Sequence, residues 1–122
     1  MVGVIDPDPV ARSGLRTLLH GLGVDVSTFD SAESYLLAAN GRHVACLIVD
    51  LLLPGMSGLE LLRRLRTAGN DVPVILLADE SDVPTAVAAM REGATDFIEK
   101  PYVDVAVLKQ VQKLLHNPPA HA

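Results

Sequence analysis

The spacing of apolar and polar positions predicts five strands, each followed by a helix. Residues 2–5 form a short apolar run that ends at Asp6. Pro9 suits a first helical position, and Val10, Leu15, Leu18, Leu19 and Leu22 follow at helical spacing. Gly21 and Gly23 stop that helix. Residues 24–29 alternate apolar with polar, as an edge strand does. Ser31 starts a second helix to about Ala39, and Asn40-Gly41 ends it. Residues 44–49 are continuously apolar, as in a strand covered on both faces, and lead into Asp50. Pro54-Gly55 marks a turn. Ser57 with Glu60 makes a capping box for a helix to about Ala68. Residues 72–77 read as another buried strand. Asp82 caps a helix over residues 83–92, with Pro84 in its first turn and Gly93 at its end. Residues 95–98 form a fifth strand, followed by Glu99-Lys100-Pro101. Residues 104–116 form a last amphipathic helix whose stripe is Val105, Leu108, Val111, Leu114 and Leu115. Residues 117–122 lack apolar periodicity and read as a linker or tail, so the domain occupies residues 1–116.

This alternation implies right-handed crossovers and an α/β domain, a parallel sheet with helices on both faces. Ligand chemistry in such sheets gathers at the carboxyl ends of the strands. Asp6, Asp50, Ala78 and Lys100 lie at or just after four predicted strand ends. Carboxylates beside a lysine suit a hard cation and a phosphoryl group. Magnesium takes oxygen ligands and keeps several waters. A carboxylate can become an aspartyl phosphate, and an ammonium offsets the charge. The same residues also fit plain solvated carboxylates and a surface lysine.

Composition narrows the classes. A chain of 122 residues, 49% hydrophobic, can bury one core but has no room for a cap or lid domain. The net charge of −5 and only four aromatics, Phe29, Tyr35, Phe97 and Tyr102, argue against nucleic-acid binding by this domain. Arg63, Arg64 and Arg66 cluster, and they are expected to solvate a helix end and favour its dipole. Cys46, the only cysteine, lies in an apolar run and reads as a buried structural thiol. His20, His43, His116 and His121 show no paired spacing and read as solvated. No apolar run is long enough to span a membrane and no signal sequence opens the chain, so a cytoplasmic module with no membrane partner is expected.

Three segments together carry a resemblance: Val4-Ile5-Asp6-Pro7-Asp8-Pro9, then Asp50-Leu51-Leu52-Leu53-Pro54-Gly55-Met56-Ser57-Gly58, then Glu99-Lys100-Pro101. With Asp82-Val83-Pro84, Gly93-Ala94 and Asp96-Phe97, they make residues 2 to 116 resemble a response-regulator receiver domain of two-component signalling. The resemblance implies a flavodoxin-like, doubly wound sheet of order 2-1-3-4-5. It implies a phosphoprotein without enzymatic activity of its own, charged by a histidine kinase or phosphotransfer protein. Asp50 would be the phosphoacceptor and Lys100 the phosphoryl contact. Magnesium would be held by Asp6, Asp50 and the backbone carbonyl of Leu52. Ala78 and Phe97 fall at the switch positions. The family also associates through its last two helices and fifth strand, and an output domain would lie beyond residue 122.

Two departures bear on mechanism. The second member of the family's acidic pair is Pro7, which has no side-chain ligand. Magnesium binding is therefore expected to be weak unless the loop turns Asp8 inward. The hydroxyl residue that ends the fourth strand is Ala78, which cannot hydrogen-bond a phosphoryl oxygen. A pseudo-receiver, binding a partner without phosphate control, is thus the alternative. Asp6-Pro7-Asp8 is also similar to the Asp-x-Asp of haloacid-dehalogenase-like phosphatases, but no late acidic pair and no cap follow. A flavodoxin-like electron carrier lacks its hydroxyl- and glycine-rich phosphate loop here.

Overall fold

The computed structural model describes residues 1–39 and 42–116. Five strands, β1 (Val2–Ile5), β2 (Val26–Phe29), β3 (Cys46–Asp50), β4 (Val74–Ala78) and β5 (Asp96–Glu99), form one sheet in the order β2-β1-β3-β4-β5. Every neighbouring pair is parallel. The helices are α1 (Pro9–His20), α2 (Ala32–Ala38), α3 (Gly58–Thr67), α4 (Val83–Arg91) and α5 (Asp104–His116). A 3₁₀ turn over Glu80–Asp82 precedes α4. Among the described residues, no helix is long and apolar enough to cross a membrane.

The sheet separates two cores, because successive strand side chains face opposite ways. On one face Leu47, Val49, Val74 and Leu76 pack against α2, α3 and α4 through Tyr35, Leu61, Leu62, Leu65, Ala86 and Ala89. On the other, Val2, Val4, Ile48, Ile75 and Leu77 pack against α1 and α5 through Leu15, Leu19, Val107 and Val111. β3 and β4 are buried throughout, whereas β2 is half-buried along its length and lies at the edge.

The expected elements are all present, and four strands start one or two residues later than expected. Strands expected to begin at 24, 44, 72 and 95 begin at Val26, Cys46, Val74 and Asp96. Backbone pairing already begins in two of these lead-ins: Ala45 donates its N–H to Met1 O, and Thr95 donates to Val74 O. Ser57 and Glu60 make the expected capping box. Asp82 stands at the N-cap of α4 but makes no capping bond, because the 3₁₀ turn already leads the chain into the helix.

Two expectations need correction. Val105 is 58% exposed; the buried residues of α5 are Val107 and Val111, and Leu114 and Leu115 of the expected stripe also pack against this core. Val105 stands two residues before Val107, roughly 200° around the helix. The arginines do more than solvate a helix end. Arg63 pairs with Glu92 at 2.7 Å, and Arg66 donates to the carbonyls of Gly93 and Asn70. They tie α3 to the turn after α4. The expected tail, residues 117–122, lies outside the described residues.

Cys46 is fully buried, and burial pushes its thiol up to about 11 from an ordinary value near 9, with a small opposing pull from the chain's amino terminus. Iodoacetamide should therefore leave the native thiol unmodified at mildly alkaline pH and label it fully in urea. The sign of the linkage follows. Between about 9 and 11 the folded chain keeps a proton that the unfolded chain has lost, so stability falls as pH rises through this window. The contribution is on the order of 2–3 kcal/mol. The stability gap between wild type and Cys46→Ala should narrow over that range. A gap that stays constant with pH would contradict the burial argument.

Candidate functional site

β1 and β3 are adjacent, and the chain order reverses between them, so their carboxyl ends open onto the crevice where such sheets hold ligands. Asp6 follows β1 directly and is 1% exposed. Its backbone N–H donates to Phe29 O at 3.1 Å, continuing the ladder to β2. Its Oδ1 accepts from the Asp8 N–H at 2.9 Å. Its Oδ2 is buried without any hydrogen-bond partner, an arrangement that costs free energy unless something else completes it. Asp8, which the sequence offers as a substitute ligand, is exposed, and its Oδ1 caps α1 by accepting from the Val10 N–H at 3.0 Å. Arg12 fixes the loop between them, its Nη1 donating to the carbonyls of Asp6 at 2.8 Å and Pro7 at 3.1 Å.

Asp50 ends β3 and is 7% exposed. Its Oδ1 accepts from the Leu52 N–H at 3.2 Å, and its Oδ2 accepts from Lys100 Nζ at 2.8 Å. Lys100 follows β5 and is held in register by its own N–H, which donates to Ala78 O at 2.8 Å. Ala78 closes β4 and is buried, so Lys100 meets both Asp50 at the end of β3 and the end of β4. Phe97 lies half-buried on the face that Ala78 and Leu76 share.

The loop after Asp50 is shaped by two glycines. Gly55 has φ +71°, a left-handed conformation that costs a side chain little only in glycine. Gly58 opens α3 with its N–H donating to Leu51 O at 3.0 Å. A Cβ there would stand 2.6 Å from Asp50 O and 3.0 Å from Leu51 Cα. Glu33 on α2 steadies the same loop, its Oε2 accepting from the Met56 N–H at 3.0 Å. That bond draws the Glu33 carboxyl below its ordinary range.

Electrostatics follow from this geometry. Burial pushes the Asp6 carboxyl above the usual carboxylate range; the Asp8 N–H opposes this, and the charge of Asp50 adds to it. Burial pulls Lys100 down, but the hydrogen bond and charge of Asp50, with the charges of Asp6 and Asp79, outweigh it and leave the ammonium raised. Asp6, Asp8, Ala11, Asp79, Lys100, Pro101 and Tyr102 line an open cleft of about 490 Å³ beside the pair. Burial, then the Asp6 charge, raises the Tyr102 phenol.

The oxygens present suit one hard cation. Asp6 brings a buried free oxygen, Asp50 a second carboxylate one strand away, and Leu52 a backbone carbonyl in the same loop. Among the described residues no three His, Cys, Asp or Glu side chains are placed to ligate together. A cation here would complete its shell with water, as magnesium readily does.

Asp6, Asp50 and Lys100 are brought together as the sequence expects. Arg12, Glu33, Asp79 and Tyr102 were not singled out by motif. Asp79 stands one residue past the observed end of β4 but two past the strand end expected at residue 77, so the sequence pattern did not mark it.

A family model described as the response regulator receiver domain matches residues 2–112. The chain belongs to that family. Among the relatives of this receiver domain, the transcriptional regulatory protein FixJ of Bradyrhizobium diazoefficiens is 37% identical over 114 residues, covering 93% of this chain and 56% of FixJ. The C4-dicarboxylate transport transcriptional regulatory protein DctD of Pseudomonas aeruginosa is 42% identical over 112 residues, covering 92% of this chain and 24% of DctD. The receiver domain of NtrX from Brucella abortus superposes with a TM-score of 0.89 at 29% identity, over 96% of this chain and 99% of that one. The receiver domain thus spans about half of FixJ and about a quarter of DctD.

Proposed function

We propose that this receiver domain accepts a phosphoryl group on Asp50 from a histidine kinase or a phosphotransfer protein, and relays that state to an output domain or partner. The observation that carries this is the 2.8 Å contact between Lys100 Nζ and Asp50 Oδ2, set beside the buried Asp6. A carboxylate oxygen of Asp50 attacks the phosphorus of the donor's phosphohistidine. The new O–P bond forms as the P–N bond breaks, and the imidazole leaves with the bond pair and takes up a proton. Lys100, already on Asp50 Oδ2, is placed to contact the incoming phosphoryl oxygens and offset their charge. The backbone N–H of Leu52 holds Asp50 Oδ1 and fixes the carboxylate's orientation. Magnesium, when bound at Asp6, Asp50 and the Leu52 carbonyl, would supply neutralisation of the transferring phosphoryl charge. Pro7 contributes no ligand, so that site is weak.

An output domain fits the fact that FixJ and DctD are each longer than the stretch matched here. Self-association through α4, β5 and α5 is supported by the exposed Val87, Met90, Val103 and Val105. A second reading, a phosphate-independent interaction module, is favoured by one observation: Ala78 places no hydroxyl at the end of β4.

Intact-mass measurement after acetyl phosphate and magnesium separates the two. Wild type should gain one phosphoryl group and Asp50→Asn none. An unmodified wild type, under conditions that charge a known receiver domain, would leave the interaction module as the reading. Sedimentation of the same samples reads the dimer; a strict monomer in every state would remove it.

A further inference from the structure

The cleft beside Asp50 and Lys100 is lined by three further carboxylates, Asp6, Asp8 and Asp79. Among the described residues, the only cation lining the cleft is Lys100, and it is bonded to Asp50. Arg12, close by in sequence, spends its Nη1 on the carbonyls of Asp6 and Pro7. Asp8 is partly committed, since its Oδ1 caps α1. Asp79 is not committed in this way. It precedes the 3₁₀ turn at Glu80–Asp82 but makes no capping bond to it. Acidic residues around a cleft are common on protein surfaces. A separate observation marks this one: Asp6 is 1% exposed, lines the cleft, and keeps Oδ2 buried without a partner.

We propose that Asp79 supplies, through water, the carboxylate that Pro7 does not provide, and so helps hold a hydrated divalent cation over Asp6. The inference rests on the reading that magnesium sits at Asp6 and Asp50. The role is assigned through water because no three carboxylates are placed to ligate together among the described residues, while Asp6 and Asp79 line one cleft. Magnesium suits it, since the ion keeps much of its water and is held as much by groups bonding those waters as by direct ligands. Asp79 acts on the cation's shell and positions it; the phosphoryl chemistry remains with Asp50.

The test is calorimetric titration of the intact chain with magnesium chloride, repeated with manganese while reading amide broadening. Asp6→Asn should remove saturable binding. Asp79→Asn should weaken it on the order of tenfold. Glu80→Gln removes the neighbouring exposed acid, which does not line the cleft, and should stay within about twofold of wild type because solvent screens it. Manganese should broaden the amides of residues 79 and 80 as well as those of 6–8 and 50–52. Thermal melting checks that Asp79→Asn is folded, which is expected of an exposed side chain that caps nothing. If Asp79→Asn binds as wild type does, or Glu80→Gln weakens binding equally, the role of Asp79 is overturned while the magnesium reading stands. Absence of saturable binding in wild type overturns both.

Discussion

Gly58→Ala is expected to destabilise the domain by about 3 kcal/mol, the upper range for forcing atoms into a packed site. For a chain of this size that lowers the melting temperature by about 10 °C. The added Cβ would meet Asp50 O at 2.6 Å and Leu51 Cα at 3.0 Å, both backbone atoms that no rotamer change can move aside. α3 would have to back away from the end of β3, and the Gly58 N–H would lose its bond to Leu51 O. The clash falls on the backbone of Asp50 itself, so the proposed phosphorylation by acetyl phosphate should slow alongside the loss of stability. Gly14→Ala is the matching control. Gly14 lies within α1 with no atom close to a Cβ placed there, so alanine should stabilise the helix by about 0.5–1 kcal/mol. Equal melting temperatures for wild type and Gly58→Ala would show that the loop after Asp50 is looser than its contacts imply.

The layered fold was legible because its strongest signals are local. Residues 44–49 and 72–77 are apolar runs of strand length, as strands covered on both faces need. Asp6 and Asp50 were legible for the same reason, since each closes an apolar run; Lys100 was legible from Glu99-Lys100-Pro101 after the fifth strand, and parallel strands bring these ends to one edge. The rotation of α5 was less legible. Val105, Val107, Leu108 and Val111 offer two overlapping stripes, and only packing against Ile98, Ile75 and Val2 selects Val107 and Val111. The fate of Asp8 was hidden by competition between two roles for one carboxylate, ligand or helix cap, and the nearby Val10 N–H claims one oxygen. Arg12, Glu33, Arg63 and Arg66 act by reaching across elements to loop carbonyls, an amide or a carboxylate. Long side chains leave no periodic trace of where they reach. Gly58 sat inside the recognised motif, but its reason, the close approach of α3 to the backbone of Asp50, needs coordinates.

Ala78→Thr is expected to create a conformational response to beryllofluoride, a stable stand-in for the phosphoryl group, that wild type shows weakly or not at all. A ligand shifts two states only through contacts that differ between them. Asp50, the proposed phosphoryl acceptor, and Lys100 already touch in this structure, so their pairing does little to distinguish the states. A hydroxyl at the end of β4 would do so, by moving onto a phosphoryl oxygen and freeing space behind it. Ala78 is buried there on the same face as Phe97 and the helix residues Ala86 and Ala89, so motion at this position would pass to β5 and α4. A hydrogen bond to a charged group is worth roughly 1.5–3 kcal/mol. Whole allosteric couplings are typically about 1–3 kcal/mol. The missing hydroxyl therefore removes an amount comparable to the entire coupling. Amide spectra with beryllofluoride and magnesium should show wild-type changes confined to the loops around Asp6 and Asp50. In Ala78→Thr they should extend to Phe97 and along Val83–Arg91. Pro7→Asp should strengthen magnesium binding without extending the response, and the double variant should combine both effects. Wild-type shifts that already reach Phe97 and α4 would refute this, and would mean that another contact couples Asp50 to that face. A response unchanged by threonine would mean that the bonds of Arg63 and Arg66 from α3 to the turn after α4 hold that helix in place in both states.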